Sequence, residues 1–345
     1  MSDTTDLKTP SAAIYGCAGL TLSAAEEAFF RAANPFGFIL FARNCDNPAQ
    51  VRDLVAALRA SVGRADAPVL IDQEGGRVAR LKPPHWRAAP PASFFGRMAS
   101  HDRARAHEAL RINTTLIAAE LADLGIDVDC VPLLDLQFPW AHEVIGDRSF
   151  GGDPELVADL GRVVCETMLE HGVMPIVKHI PGHGRARVDS HKELPVVDTG
   201  AAELEASDFR PFRALADAPW AMTAHVVYSA LDAERPATTS SSLIAGVIRG
   251  HIGFDGVLLS DDLSMEALKG SLGERATASL GAGCDVALHC NGKPEEMEQV
   301  AAAVGPLSAE AQRRIAAPRA RLGRPEAVDR AALLRRLDGL MHPAA

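Results

Sequence analysis

The chain has 345 residues, 47% of them hydrophobic, which is enough for a large buried core and an ordinary length for one α/β barrel. Its 35 Lys and Arg against 45 Asp and Glu give a net charge of −10, which argues against nucleic acid or an anionic membrane surface and favours a small polar substrate. The N-terminal residues lack a basic segment followed by an apolar run, and no stretch approaches the roughly 20 apolar residues of a membrane span, so we expect a cytoplasmic protein.

Eight short apolar runs alternate along the chain with longer helical patterns. The runs are continuously hydrophobic, as is typical of parallel strands covered on both faces. Eight of them predict a (β/α)₈ TIM-type barrel, and a doubly wound sheet is disfavoured because no GxGxxG follows the first strand. The runs are AAIYGCAGL (12–20), FGFILFARN (36–44), APVLIDQEGG (67–76), GIDVDCVPLLDL (125–136), VMPIVKHIPGHG (173–184), AMTAHVVYS (221–229), GVLLSDDLSM (256–265) and CDVALHCNG (284–292). The helical patterns include 48–62, 102–124, 154–171 and 201–217.

We expect a single catalytic domain over residues 1–345, with the barrel at about 12–300 and a helical tail at about 301–345. Within the tail, the Arg-rich stretch 312–336 predicts a solvated helix. Six cysteines lie mostly inside apolar runs without CxxC spacing, which predicts buried free thiols instead of disulfides or a zinc site.

Polar side chains stand at or just beyond the ends of these apolar runs. Barrel enzymes place their active sites at that end of the strands. Each residue alone is better explained as a cap or turn former, but together they predict a site. They are Asp72, Asp135, Lys178 with His179, His225, Asp261 with Asp262, and Asn291.

The acidic pair Asp261 and Asp262 separates an apolar run from a helical pattern. A carboxylate at the start of a helix ordinarily caps it, and we expect Asp262 to do so. Asp261, at the strand end, is then expected to point into the barrel mouth, where a carboxylate is suited to attack an anomeric carbon.

The irregular segment 177–198 holds three histidines. His179 and His183 are four residues apart, but the proline and glycines around them disfavour the helix that a shared metal-binding face would need. Farther on, Asp189 and His191 are two residues apart in a predicted loop, where the carboxylate can fix the tautomer of the imidazole and raise its basicity. That pair suggests an acid/base dyad, and a chance Asp-x-His on the surface is the alternative.

The stretch DQEGGRVARL, residues 72–81, begins with Asp72 at a strand end. It is compatible with a tight turn followed by surface arginines. It is equally compatible with a sugar site in which Asp72 accepts from two hydroxyls while Arg80, Arg148 and Lys178 donate to others. Composition leaves both interpretations open.

Four motifs resemble those of glycoside hydrolase family 3 in order and spacing. They are DQEGGRV, KHIPGHG with DSH beyond it, AHVVY followed about ten residues later by PAT, and GFDGVLLSDDLSMEAL. The resemblance spans about residues 12–300 and is greatest to the single-domain bacterial β-N-acetylglucosaminidases of cell-wall recycling. Ile180 stands where the family more often has Phe, a difference that affects packing and leaves the polar residues intact.

The resemblance implies a retaining double displacement without a metal or organic cofactor. Asp261 would be the nucleophile, and His191, oriented by Asp189, would be the general acid and base. The implied contacts to N-acetylglucosamine are Asp72, Arg80, Arg148, Lys178 and His179. The implied substrates are peptidoglycan fragments such as N-acetylglucosamine-anhydro-N-acetylmuramic acid and its peptides, and we expect a monomer.

Two other functions stay open at this point. A β-glucosidase of the same family normally carries its acid/base glutamate on a second domain, for which 345 residues leave no room. A non-catalytic sugar-binding protein would not need Asp261 or the Asp189–His191 pair. The glycines that bound the loop also predict that residues 184–192 are mobile, or displaced from Asp261, when no sugar is bound.

Overall fold

Eight parallel strands close into a barrel in the computed structural model, which describes residues 9–324 and 327–342. Each strand pairs with the next along the chain, and the last pairs with the first to complete the ring. This confirms the predicted (β/α)₈ TIM-type fold, and each of the eight apolar runs supplies one strand. The strands are β1 (Ser11–Tyr15), β2 (Pro35–Leu40), β3 (Val69–Ile71), β4 (Val128–Asp129), β5 (Met174–Ile180), β6 (Trp220–Thr223), β7 (Val257–Asp262) and β8 (Val286–His289).

Helices follow the strands and pack on the outside of the barrel. Asn47 and Asp153 cap two of them by accepting backbone N–H groups, and a proline follows each cap at the first helical position. The helices are α1 (Ala24–Ala33), α2 (Pro48–Ser61), α3 (Ala92–Ala99), α4 (Arg103–Asp123), α5 (Pro154–Glu170), α6 (Ala201–Ala206), α7 (Phe209–Ala214), a π-helix (Leu243–His251), α8 (Leu272–Ala282), α9 (Pro294–Ala303), α10 (Ala309–Arg319) and α11 (Arg330–Met341). The first three predicted helical segments are confirmed, and the fourth is divided at Ser207 into α6 and α7.

Alternate side chains of the strands belong to two separate apolar clusters. Ile14, Ile176 and Leu259 fill the barrel interior with their counterparts on other strands. Val177 and Leu258, which point the other way, pack among the helix side chains. Burial on both faces is the reason why the strands are hydrophobic throughout.

The tail closes the amino end of the barrel. Ala311 and Ile315 of α10 join the interior cluster, and the N–H of Leu307 donates to the carbonyl of Pro10 just before β1 (2.8 Å). The carboxyl ends of the strands are therefore the end at which a site is accessible.

The prediction of one solvated helix over 312–336 is wrong. α10 ends at Arg319, and α11 begins only at Arg330, where the Asp329 side chain caps it. Leu337 and Leu340 of α11 are buried where this helix packs on α4. The expected single domain and tail also include residues 1–8, 325–326 and 343–345, which lie outside the described residues.

All six cysteines are free thiols, as predicted, and five of them are buried. Among the helices described, none combines the length and apolar character needed to cross a membrane.

Candidate active site

A cavity of about 870 Å³ opens among the loops at the carboxyl ends of the strands. Most of the residues predicted from the sequence meet there, although they come from five different strands or loops. Those that line it are Asp72, Arg80, Arg148, Lys178, His179, His191, Asp261 and Asp262. Asp189 is brought to the site through its contact with His191.

Asp72 lies directly after β3 and is bound by two cations. Its Oδ1 accepts from Lys178 Nζ (2.8 Å) and its Oδ2 accepts from Arg80 (2.7 Å). Burial favours the neutral acid, but Lys178 and Arg80 outweigh it and hold the pKa of Asp72 far below its usual range. An ionised carboxylate has about four lone-pair positions, so each oxygen can still accept from a ligand hydroxyl.

Glu74, which the sequence argument did not select, is the second centre of this network. Arg148 binds it with two parallel hydrogen bonds (2.9 and 2.8 Å), and Lys178 Nζ lies 2.7 Å from its Oε1. Although burial raises the pKa of Glu74, Lys178 and Arg148 lower it overall. A signal was present in the sequence, because residues i and i+2 of an extended segment point to the same side, and Asp72 and Glu74 have that spacing.

The network holds two carboxylates and three cations, since Arg80 joins Asp72 while Lys178 and Arg148 join Glu74. Its net charge is therefore about +1. Such a site donates several hydrogen bonds without presenting an unpaired buried charge.

His179, at the carboxyl end of β5, is oriented from behind by Asp135. The carboxylate accepts from His179 Nδ1 (2.7 Å) and from the backbone N–H groups of His179 (3.1 Å) and His183 (2.6 Å). Although burial opposes ionisation, His179 and His183 hold the pKa of Asp135 at about 2. Because Nδ1 donates to Asp135, His179 presents Nε2 to the cavity.

Asp261 lies near the end of β7 and lines the cavity, as expected. Its N–H donates to Thr223 Oγ1 of the neighbouring strand (3.3 Å), and its Oδ1 accepts from the N–H of Asp262 (2.8 Å). Burial would raise the pKa of Asp261, but His179 and His225 nearby lower it overall. The carboxylate is therefore ionised at neutral pH, the state that a nucleophile needs.

The expectation that Asp262 caps a helix is wrong, because the next α-helix begins only at Leu272 and is capped by Ser271. The carboxylate of Asp262 instead accepts from the backbone N–H and the hydroxyl of Ser264 (3.0 and 2.6 Å) and from the N–H of Cys290 (3.1 Å). Asp262 thus fixes the turn after β7 to the end of β8.

The remaining strand-end residues support the site or lie apart from it. His225 is fully buried and hydrogen-bonded to Thr238 (2.7 Å) and to the carbonyl of Asp262 (3.0 Å), so it holds the end of β7 in place. Asn291 does not line the cavity, and its side chain binds Glu296.

His191 and Asp189 make a local pair on the loop that follows β5. Both the N–H and the Nδ1 of His191 donate to Asp189 Oδ1 (3.0 and 2.8 Å). Partial burial raises the pKa of Asp189, but these two hydrogen bonds lower it overall. Because Nδ1 is bonded to Asp189, Nε2 is the ring nitrogen that His191 can offer to a ligand, on a side chain that is 64% exposed. His183 and Ser190 bond across the loop (3.0 Å).

The expectation that residues 184–192 move when the site is empty stays a prediction. Within the described residues, no three His, Cys, Asp or Glu side chains are arranged to hold a metal ion.

Comparisons with known proteins identify relatives of the whole barrel. The glycosyl hydrolase family 3 N-terminal domain matches residues 15–324. A β-hexosaminidase of Chromobacterium violaceum is 40% identical over 296 residues, which cover 84% of this chain and 81% of that protein. A β-hexosaminidase of Alkalilimnicola ehrlichii is 40% identical over 294 residues, covering 83% and 82%.

Solved structures agree with these matches. NagZ from Neisseria gonorrhoeae, in complex with N-trifluoroacetyl-D-glucosamine, superposes with a TM-score of 0.86 at 30% identity and covers 97% of this chain and 99% of its own. A family 3 β-N-acetylglucosaminidase from a Paenibacillus species has a TM-score of 0.84 at 31% identity, with coverage of 99% and 69%.

Proposed function

Because the chain belongs to glycosyl hydrolase family 3 and is a glycoside hydrolase of the β-N-acetylhexosaminidase class, we propose that it removes non-reducing terminal N-acetylglucosamine from peptidoglycan fragments with retention of configuration. One observation carries the proposal. The cavity that holds the Asp72 network also holds an ionised carboxylate, Asp261, and an imidazole, His191, whose Nδ1 is fixed by Asp189. A binding protein would have no use for the last three residues.

In the first step Asp261 attacks C1 of the sugar, and the C1–O bond to the aglycone breaks. The imidazolium of His191 gives its Nε2 proton to the departing oxygen, so the aglycone leaves as an alcohol. The Asp189 carboxylate stabilises the charged imidazolium and accepts a hydrogen bond from His191 Nδ1, so the other ring nitrogen, Nε2, faces the substrate.

In the second step a water molecule attacks C1 and gives a proton back to His191 Nε2. The bond between C1 and Asp261 breaks, and the carboxylate is restored. Two inversions at C1 return the sugar to its original β configuration. Both steps use the same imidazole, which donates a proton from Nε2 in the first step and accepts one there in the second.

The sugar hydroxyls are proposed to bind Asp72, Arg80, Arg148, Lys178 and His179. The two oxygens of Asp72 are already held in fixed directions by Lys178 and Arg80, so their free lone pairs are preorganised for ligand hydroxyls. A buried charge-assisted network of this kind rejects a ligand that leaves its members unpaired.

We also propose that the enzyme acts as a monomer in the cytoplasm, on fragments such as N-acetylglucosamine-anhydro-N-acetylmuramic acid and its peptides. The net charge of −10 supports a soluble glycan, and not nucleic acid or an anionic surface, as the partner.

The test compares an aryl N-acetyl-β-glucosaminide with the corresponding aryl β-glucoside and records the first-formed anomer by NMR. We expect a preference for the N-acetylglucosaminide of about a hundredfold or more in kcat/KM, because the relatives are β-hexosaminidases and a site built to pair an amide rejects an analogue that lacks it. The β anomer should appear first. Comparable rates would favour a β-glucosidase, and binding without turnover would favour a sugar-binding protein.

A further inference from the structure

A second groove, of about 590 Å³, lies beside the loop that carries His191. Four large hydrophobic side chains are strongly exposed in the described part of the chain, and two of them, Trp140 (51%) and Val196 (49%), line this groove. Exposed apolar side chains that are grouped in one concave place indicate a binding surface more strongly than the same side chains scattered singly.

Trp140 is stacked on a neighbouring aromatic ring. Its ring lies on that of Phe138 with the centroids 5.2 Å apart and the planes 29° from parallel. The guanidinium of Arg185 lies 4.5 Å from the Phe138 ring, and it is fixed by Asp208 (2.7 Å) and Glu203 (2.8 Å). These contacts support the indole in one orientation, so a ligand that packs against its exposed part binds at a low cost in side-chain entropy.

Arg187 places a cation over the Trp140 ring. Its guanidinium lies 5.3 Å from the Trp140 ring centroid, and its side chain is exposed. Unlike Arg185, Arg187 makes no ion pair or hydrogen bond with any residue in 9–324 or 327–342. Asp198 also lines the groove, and its carboxylate accepts from the Ser229 hydroxyl (2.9 Å). Among the described residues that line the groove, Arg187 is thus a guanidinium that contacts a ring but no carboxylate, which suits it to a carboxylate of a ligand.

Two short segments connect this groove to the active-site cavity. Each segment has one residue in the groove and, four residues later, one in the active-site cavity. The first segment runs from Trp140 to Val144, and the second runs from Arg187 to His191. Four residues of extended chain span at most about 14 Å. The N–H of His142 donates to the carbonyl of Ala186 (2.9 Å), which joins the two segments side by side.

The chemistry of the proposed reaction fixes which part of the substrate lies on this side. The general acid must reach the oxygen that links the sugar to its aglycone, so the aglycone leaves the cavity next to His191. An extended aglycone that follows the loop away from Asp261 meets Arg187 and Trp140.

We propose that the groove between Trp140 and Arg187 is an aglycone subsite that selects acidic aglycones. A sugar ring or other apolar part of the aglycone packs against the exposed part of the indole, and a carboxylate carried by the aglycone pairs with Arg187. This inference rests on the proposed function and adds to it the residues that distinguish long acidic substrates from simple glycosides. A local cation matters here because the chain as a whole has a net charge of −10 and repels anions.

The test measures kcat/KM for two N-acetyl-β-glucosaminides, one with a 4-nitrophenyl aglycone and one with an anhydro-N-acetylmuramyl peptide. For the acidic aglycone we expect a loss of about tenfold in Trp140→Ala and about three- to tenfold in Arg187→Gln, with changes of at most about twofold for the nitrophenyl substrate. Leu334→Ala and Arg52→Gln, at exposed residues outside the groove, are the matched controls and should change neither rate.

A third substrate, the same peptide with its carboxylates methylated, separates the two contacts. Arg187→Gln should then have no effect while Trp140→Ala keeps its effect. Equal losses on all substrates would show that the variants only disturb the loop of His191, and no loss on any would show that the aglycone lies elsewhere. Either result overturns the subsite.

Binding of the free anhydro-N-acetylmuramyl peptide gives a readout that does not need catalysis. Trp86 and Trp220 are buried, so Trp140 is the exposed indole among the three tryptophans. The peptide should quench its fluorescence, and Arg187→Gln should weaken that binding. If the wild-type enzyme cleaved neither glycoside, the proposed function would fail, while this titration would still decide whether the groove binds the acidic aglycone.

Discussion

Replacing Glu74 by Gln tests whether the charge network holds the site together. Gln has nearly the shape of Glu but carries no charge, and its amide directs a donor at Arg148 or Lys178. Glu74, Arg148 and Lys178 are 6%, 12% and 2% exposed as side chains, so the cations cannot turn to water without rearranging the site. Asp72 would then be the one remaining carboxylate for the three cations Arg80, Lys178 and Arg148.

The magnitude follows from the contacts that are lost. Glu74 accepts two bonds from Arg148 and lies 2.7 Å from Lys178 Nζ. Breaking a buried ion pair by removing one partner costs about 3–5 kcal/mol, because the other charge stays buried. The matched control is Asp147→Asn, which breaks an exposed ion pair. In that pair the side chains of Arg77 and Asp147 are 47% and 43% exposed. An exposed pair contributes less than about 1 kcal/mol.

The difference between wild type and Glu74→Gln also depends on pH. Lys178 and Arg148 lower the pKa of Glu74 in the folded state, despite its burial, below the value of 4.5 for an unperturbed Glu. A carboxyl group with a lowered folded pKa contributes stability that is present above the unfolded pKa and is lost as the pH falls through the folded value. The destabilisation by Glu74→Gln should therefore be largest above about pH 5 and shrink in more acidic solution.

Urea unfolding, followed by circular dichroism at several pH values, measures this directly. The KM of Glu74→Gln for an aryl N-acetylglucosaminide should rise, since Lys178 and Arg148 are proposed sugar contacts. A double-mutant cycle with Lys178→Met isolates the pairwise contribution. A loss no larger than that of Asp147→Asn, and constant with pH, would refute the reasoning.

Four further substitutions separate the roles of the other carboxyl and imidazole groups. Asp261→Ala should abolish turnover in a protein that still folds, with a loss of about 1 kcal/mol because the N–H of Asp262 loses its acceptor. Asp262→Ala should keep the rate within about tenfold and lose about 1–3 kcal/mol, because the N–H groups of Ser264 and Cys290 lose theirs. Rates in the reverse order would exchange the two roles. His191→Ala should slow release of a poor leaving group far more than the burst of an acidic phenol, and equal losses in that first step would exclude it as the general acid. Burial raises the pKa of Asp129 from an unperturbed 3.8 to about 8. Between these pH values the folded state keeps a proton that the unfolded chain releases, so the contribution of Asp129 to the free energy of unfolding falls as the pH rises. Asp129→Asn, whose amide oxygen can still accept from the Gln73 N–H, should remove this pH dependence of the free energy of unfolding, about 1.4 kcal/mol per pH unit in that range. Urea unfolding that gives the same pH dependence for both proteins would contradict this.

The barrel was predictable because its signal is local and repeated. Each strand is a short apolar run that ends at a polar residue, and eight such runs with helical segments between them allow few other architectures. The position of Asp261 followed from the same rule, since it is defined by where one strand ends.

The charge network was only partly predictable, because its partners are distant in the chain. Arg148 and Glu74 are 74 residues apart, and Lys178 and Asp72 are 106 apart. The sequence indicated that these cations belong to the site, but it could not show that a carboxylate, Glu74, holds Arg148. The prediction that Asp262 caps a helix failed for a related reason, because its carboxylate bonds to Cys290, just after β8, before any α-helix begins.

The two halves of the proposed catalytic apparatus depend on the fold in different ways. Asp261 is part of β7, and its N–H is bonded to Thr223 on the neighbouring strand, so its position is as stable as the barrel. His191 is held by Asp189, two residues away, on a loop with a largely exposed imidazole. Damage to the barrel core should therefore remove the nucleophile only when the whole domain unfolds, whereas a change within the loop can misplace the acid in a fully folded protein. His191 is proposed to donate a proton to the aglycone that leaves and then to accept one from the water that enters, and both pass the loop. A position on a loop is therefore compatible with the role of His191, whereas the nucleophile Asp261 needs the fixed position that the barrel gives it.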